Sequence, residues 1–297
     1  MSVAGPLLAL VGPTASGKTD AAVEVAGAIG AEVVCVDSML VYRGMDVGTA
    51  KPSPEHRRRV RHHLLDLADP AERFSVQRYQ RLARRAIGSI RRRGSTPLLV
   101  GSGGLYLRAV VDELEFPTTE RRVRELLEAE ARVIGPAALH RRLSETDPDA
   151  ASGIDPAKAR RSVRALEVMA VTGRPFSSFA TRWRTYPPGA VRVAGIDVPR
   201  PLLHRRIEAR VESMMPGILA EAAVLRANGF GRVLTASQSI GYAEAVACLE
   251  GRLGLDEAAA RTVRRTKALA RRQLAWLRRD PRIEWFSAGA DGARGRV

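Results

Sequence analysis

The sequence predicts an α/β fold, a parallel sheet flanked by helices with a helical insertion domain, and three observations predict it. Short apolar runs and helical patterns alternate from the start of the chain in the order strand, turn, helix, strand. A glycine-rich loop joins the first strand to its helix. From Phe116 the texture turns wholly helical, and a strand pattern resumes only after Tyr186–Gly189 with its two prolines.

Each element follows from its local pattern. Pro6–Val11 reads as a short buried strand, followed by the glycine-rich turn and a helix over Thr19–Ala28. A second apolar run, Glu32–Val36, ends at Asp37. A basic helix around Val76–Arg93 leads through Gly94 to a third strand, Pro97–Val100, and the glycine cluster Gly101–Gly104. Ligands of such sheets sit at the carboxyl ends of the strands, where residues 12–19, 37–40 and 101–106 converge. Arg121–Arg132, Pro136–Leu143 and Pro156–Val171 read as helices of an insertion expected to move relative to the core. Val191–Val198 is a further strand. Helices Arg200–Met214 and Gly217–Asn228, a loop to Gly241 and helices to about Arg279 follow, before a frayed tail over Ser287–Val297. The expected organisation is a core from 1–115, an insertion from 116–185 and a core completion from 186–297.

Composition bounds the class. A chain of 297 residues with 27% charged and 45% hydrophobic residues excludes wholesale disorder and a membrane bundle. The longest apolar runs, around Leu7–Val11 and Val33–Val36, are strand-sized, so no bilayer span is expected, and Met1–Gly5 carries no basic leader. Two distant cysteines, Cys35 and Cys248, argue for small buried residues in a reducing cytoplasm. A formal charge of +16 favours a polyanionic partner. Only Lys18, Lys51, Lys158 and Lys267 among the 48 basic residues are lysines, so a codon-biased genome is the competing source of the excess.

The chemistry starts at Gly12-Pro13-Thr14-Ala15-Ser16-Gly17-Lys18-Thr19, which fits G-x-x-x-x-G-K-[ST] between a strand and a helix and makes the sheet P-loop NTPase-like. Glycines let backbone N–H groups turn toward an anion, and the helix N-terminus adds partial positive charge. Lys18 supplies an ammonium, and the Thr19 hydroxyl can hold Mg²⁺. The motif specifies a di- or triphosphate and is silent on which. Asp37, at the end of the second strand, fits a metal-water ligand, a general base or a turn-capping aspartate.

Specificity comes from longer blocks. Gly12–Thr19, the run Asp37-Ser38-Met39-Leu40 through Gly48-Thr49-Ala50-Lys51-Pro52, and His62-His63-Leu64-Leu65-Asp66 resemble the bacterial tRNA dimethylallyltransferases, or tRNA isopentenyltransferases. The resemblance continues through Gly101–Arg108, Arg160–Glu167, Thr172–Pro175, Gly241-Tyr242 and Thr266–Arg278, in order over nearly the whole chain. It implies transfer of a dimethylallyl group from dimethylallyl diphosphate to N6 of the adenosine just 3′ of a tRNA anticodon. The glycine-rich loop and Arg206 would then hold the diphosphate, with Mg²⁺ as cofactor, and Asp37 would be the catalytic base. Asp37–Leu40, Ser102, Gly103, Arg124, Arg160, Arg161, Arg164, Gln238, Gly241, Tyr242, Thr266, Lys267, Arg271, Arg272 and Gln273 match the family's contacts to the tRNA anticodon stem-loop. The expected state is a cytoplasmic monomer.

The last helix also argues for itself. Arg264, Arg271 and Arg278 recur at seven residues, as do Arg265, Arg272 and Arg279, while Val263, Ala270, Leu274 and Leu277 line another face. With Asp280 as the only nearby acid in sequence, the basic face reads as a phosphate track. Trp276 fits a base-stacking or a core role. Two positions depart from the family: Gly103 stands where it carries Thr or Ser, and Lys267 where it carries Arg. Either Ser102 supplies a hydroxyl from one residue earlier, or the loop relies on backbone N–H groups. His62, His63 and Asp66 lack further ligands at zinc spacing. The rival readings are a P-loop kinase acting with ATP on a nucleoside or polynucleotide, and a non-catalytic RNA-binding ATPase.

Overall fold

A computed structural model describes residues 6–112, 114–179, 185–228, 230 and 234–288. Met1–Gly5, read above as carrying no basic leader, and the tail from residue 289 on lie outside the described residues. The chain divides into two compact units, Met1–Val111 with Pro188–Val297, and Asp112–Pro187.

The larger unit starts with β1 (Leu7–Val11), α1 (Lys18–Ile29) and β2 (Ala31–Cys35). Then come α2 (Pro54–Arg59), the two-residue β3 (His62–His63), α3 (Val76–Arg92), β4 (Thr96–Gly101) and α4 (Gly104–Val111). α4 starts inside the expected glycine loop, so residues 104–106 are helical. The smaller unit holds α5 (Arg121–Ile134), α6 (Pro136–Thr146), α7 (Pro148–Ser152) and α8 (Ala159–Thr172). Its core is Leu127, Leu139, Leu143, Val163 and Leu166, contributed by the amphipathic faces of α5, α6 and α8. The larger unit resumes with β5 (Val191–Asp197), α9 (Arg200–Ala227), α10 (Leu234–Ser237), α11 (Tyr242–Leu249), α12 (Leu255–Leu277) and β6 (Ile283–Ser287).

The six strands among the described residues are all parallel, in the order β3-β2-β4-β1-β5-β6. This order positions the site. β2, β4 and β1 are neighbours, with Cys35 paired to Val100 and Val100 to Leu10, so their carboxyl ends finish in one row. The segments that leave those ends, at Asp37, Ser102 and Gly12, therefore meet.

Two differences from the sequence reading have physical causes. α9 runs unbroken through Pro216, where the sequence predicts two helices. Its buried stripe, Leu203, Ile207, Val211, Met215, Ile218, Ala222 and Leu225, stays in phase across the proline, so core packing outweighs one missing backbone bond. Ile283–Ser287, which lies between the helices expected to end near Arg279 and the tail expected from Ser287, is a strand paired with β5. Its Ile-Glu-Trp-Phe composition suits a half-buried edge, but its partner lies far back in the chain.

Candidate functional site

The glycine-rich loop wraps the start of α1. Ala15 at φ 61° and Gly17 at φ 86° take left-handed conformations that turn the backbone inward. Lys18 Nζ donates to Pro13 O at 2.9 Å. Desolvation by burial lowers the Lys18 pKa to about 8, opposed by the Asp37 carboxylate and assisted by the Arg210 guanidinium. Lys18 and Thr19 line a cavity of about 80 Å³ together with Asp37, Leu40, His62, Ser102 and Arg210.

A larger cavity of about 500 Å³ shares the Asp37, Ser102, Thr14 and Arg210 wall with the small one. Its lining is largely apolar, with Met39, Leu105, Ile207, Met214, Leu269 and Trp276 prominent. Ser38, Gly103, Gln238, Thr266, Arg272 and Gln273 also line it. The acid at the end of β2 thus stands between a cationic phosphate-sized recess and an apolar chamber. Its Oδ1 accepts from Met39 N at 2.8 Å, and Ser102 Oγ donates to Oδ2 at 3.3 Å. Trp276 walls the chamber against the first turn of α4; a Cβ on Gly104 would fall 1.9 Å from its ring, so only glycine admits the indole here.

The 37–52 segment is held by two ties, one buried and one half-buried. Lys51 Nζ donates to Tyr42 O (2.5 Å), Asp46 Oδ1 (2.6 Å) and Asp66 Oδ1 (2.5 Å), with its side chain 2% exposed. Glu221 accepts the backbone N–H groups of Asp46 and Val47 at 3.1 and 2.8 Å, and the Tyr242 hydroxyl donates to it as well. Sequence reasoning missed Glu221, whose backbone partners Asp46 and Val47 lie more than 170 residues away.

Several expected site residues have other tasks. Arg210, one helical turn beyond Arg206, lines both cavities, and Arg206 lines neither. Arg206 and Arg210 stand four residues apart on the same face of α9, so it is the height along the helix, not its phase, that brings Arg210 to the cavities. Tyr242 is wholly buried, with its hydroxyl on Glu221 and Gly48 N, so it fixes the 46–48 backbone and is closed to RNA. Gly241 caps α11 at φ 90°. In the smaller unit Arg124 and Arg164 both pair with Glu167, at 2.5 and 2.9 Å, and Arg164 also donates to Pro117 O and Thr118 O. Glu167 is fully buried, so these arginines neutralise an internal carboxylate. Arg160 and Arg161 are exposed at the start of α8.

On α12 and the turn that ends it the six arginines of the two heptad series are all exposed, whereas Ala270 and Leu277 are buried. Arg265 pairs with Glu244 and Arg278 with Asp197, acids brought in from other elements that sequence proximity did not reveal. Lys267 pairs with Glu208 at 2.5 Å. Arg264, Lys267, Arg271 and Arg278 line a cleft of about 600 Å³ with Arg200 and His204 of α9.

The histidine pair is tied to the protein: His62 Nδ1 lies 2.8 Å from Val60 O and His63 Nε2 lies 2.6 Å from Glu32 Oε2. Burial lowers the His62 pKa and pushes the buried Cys35 thiol up to about 12. Among the described residues no group of three His, Cys, Asp or Glu side chains could hold a metal, and no helix is long and apolar enough to cross a membrane.

Comparison with known proteins covers the same ground. The IPP transferase family matches residues 40–280, and the isopentenyl transferase family matches residues 5–72. A tRNA dimethylallyltransferase of Streptomyces coelicolor is 49% identical over 97% of this chain and 93% of its own length. The solved tRNA isopentenylpyrophosphate transferase of Bacillus halodurans is 40% identical, with TM-score 0.69 over 95% of this chain and 89% of its own. A eukaryotic dimethylallyltransferase solved acting on tRNA is 25% identical, with TM-score 0.80 over 97% of this chain and 75% of its own.

Proposed function

The chain belongs to the IPP transferase family, and from that premise we propose that it transfers a dimethylallyl group from dimethylallyl diphosphate to N6 of the adenosine 3′-adjacent to a tRNA anticodon, releasing diphosphate. The observation that carries this reading is Asp37 on the wall shared by the Lys18 recess and the apolar chamber. A phosphate-sized cationic recess opening beside an apolar chamber suits an isoprenoid diphosphate with a purine against it. The P-loop kinase alternative explains the recess and gives the chamber no occupant.

The reaction is a displacement at the allylic carbon. The N6 lone pair forms the new bond to C1, the C1–O bond breaks with its electrons going to the diphosphate, and the N6 proton passes to the Asp37 carboxylate. N6 is a weak nucleophile because its lone pair delocalises into the ring, so a base that accepts the proton as the bond forms lowers the barrier. Lys18, Arg210 and the N-terminus of α1 stabilise the charge that builds on the leaving group. The target base leaves its stack to enter the chamber, whose aromatic wall is Trp276.

A divalent cation fits the donors present. Thr19 and Asp37 offer hard oxygens around the small cavity, and Mg²⁺ typically takes one or two side chains with phosphate oxygens completing its shell. Thr19 would hold it, and it would supply charge neutralisation on the diphosphate. Exposed Arg160 and Arg161 in the smaller unit, and Arg271 with Arg264 along the cleft beside α12, supply phosphate contacts for tRNA. A monomer is the acting form in this reading, and a tRNA substrate is consistent with a cytoplasmic enzyme. The test is incubation of the protein and Mg²⁺ with unmodified tRNA and either dimethylallyl diphosphate or labelled ATP. A dimethylallyl mass gain on one adenosine supports the proposal; phosphate transfer, or ATP turnover with unchanged RNA, refutes it.

A further inference from the structure

One side chain links the two halves of the site. Gln273 of α12 accepts Thr14 N–H on its Oε1 at 2.9 Å and donates from Nε2 to Ser102 Oγ at 2.9 Å. Ser102 Oγ in turn lies 3.3 Å from Asp37 Oδ2. The two ends of this chain force every direction in it. A backbone N–H can only donate and an ionised carboxylate can only accept, so the amide must show oxygen to Thr14 and nitrogen to Ser102. The serine hydroxyl then spends its proton on Asp37. The opposite amide orientation would set donor against donor at Thr14.

The same geometry accounts for the exchanged order of residues 102 and 103. Gly103 N–H donates to Val36 O at 3.3 Å, and a Cβ on residue 103 would stand 2.9 Å from that carbonyl oxygen. The hydroxyl sits one residue earlier, in the buried Ser102, where it reaches both Gln273 and Asp37.

We propose that Gln273 is a positioning residue: through Ser102 it aims the Asp37 carboxylate at the reacting amine, and through Thr14 it holds the phosphate cradle at a fixed spacing from that carboxylate. The inference rests on the prenyl-transfer reading and deepens it. It replaces the expected direct RNA contact of Gln273 with a task in which both heteroatoms of the amide are engaged by the protein.

The test is steady-state kinetics with unmodified tRNA and dimethylallyl diphosphate for wild type, Ser102→Ala, Gln273→Met and the double variant, with a thermal melt of each. Methionine keeps the length of glutamine and removes both bonds. Each single variant is expected to lower kcat about tenfold, the scale of one hydrogen bond to a charged group, with KM for tRNA within about twofold. The double variant is expected to be no slower than the slower single one, because the two residues act in series. Losses that multiply, an unchanged kcat, or a raised KM for tRNA with kcat intact would overturn the proposal. Should Gln273→Met melt early, Gln273→Glu carries the comparison, since it keeps the Thr14 bond and gives Ser102 no donor; an unchanged kcat there overturns the proposal as well. Product formation by wild type is the separate check, and its absence would overturn the transfer reading and this inference with it.

Discussion

Raising the pH from about 7 to about 9 should weaken the binding of dimethylallyl diphosphate in a way an ordinary lysine cannot produce. Burial lowers the Lys18 pKa to about 8, with Arg210 pushing the same way and Asp37 opposing. If the diphosphate requires the charged ammonium, its apparent Kd scales with the inverse of the protonated fraction. That fraction is roughly 0.9 at pH 7 and 0.1 at pH 9 for a pKa near 8, so affinity falls about tenfold. A lysine at its usual value would change the Kd by only about 3% over the same range. Neighbouring groups do not confuse the measurement: burial keeps His62 neutral above pH 7 and the Cys35 thiol protonated, with Cys35 near 12. Isothermal titration calorimetry without tRNA, at pH 7, 8 and 9, reads the effect on wild type and on Lys18→Met. The methionine variant should bind weakly with a flat profile. A wild-type affinity constant within about twofold, or an equal decline in Lys18→Met, would refute the reasoning.

Three further outcomes follow. Arg210→Ala should weaken diphosphate binding by about tenfold to a hundredfold, the value of a charge-assisted hydrogen bond, and move the pH midpoint for that binding upward by removing a like charge from Lys18; Arg206→Ala should stay within about twofold in the same titration. Replacing Arg271 and Arg272 together by alanine should weaken tRNA binding and reduce the slope of log K against log salt by roughly 1.4, at about 0.7 per single-stranded phosphate contact, with an unchanged slope rejecting the phosphate track. Tyr242→Phe should cost about 1 kcal/mol of stability in a denaturant titration by removing the hydroxyl from Glu221 and Gly48, and leave tRNA affinity intact; a selective loss of RNA binding would restore the contact role.

What could be read from the sequence was what neighbouring residues encode. The glycine-rich loop follows its strand directly, Asp37 follows β2 and Ser102 follows β4, so local pattern and the rule for parallel sheets suffice to bring them together. What escaped was set by distance along the chain or by height along a helix. Gln273 meets Ser102 across 171 residues and Thr14 across 259, and no local pattern reports such a pairing. Arg206 and Arg210 have the same chemistry and share one face of α9, and only their height along the helix relative to the strand ends decides which of them reaches the cavities. Tyr242 and Gly241 look like exposed loop residues in a glycine-containing stretch, yet the tyrosine ring is enclosed by the core and its hydroxyl ties down a segment nearly 200 residues earlier. The arginines of the smaller unit looked free for RNA because their buried counter-charge, Glu167, lies on another turn or another helix.

The central claim is that Asp37 takes the amine proton while the loop beside it grips the leaving group, and Asp37→Asn tests it most directly. Asparagine keeps an oxygen for Met39 N–H and removes the base. Single-turnover prenyl transfer by this variant should fall by about 10² to 10⁴, with tRNA and diphosphate affinities held within about threefold of wild type. Transfer at the wild-type rate, or a loss confined to substrate binding, would contradict the account.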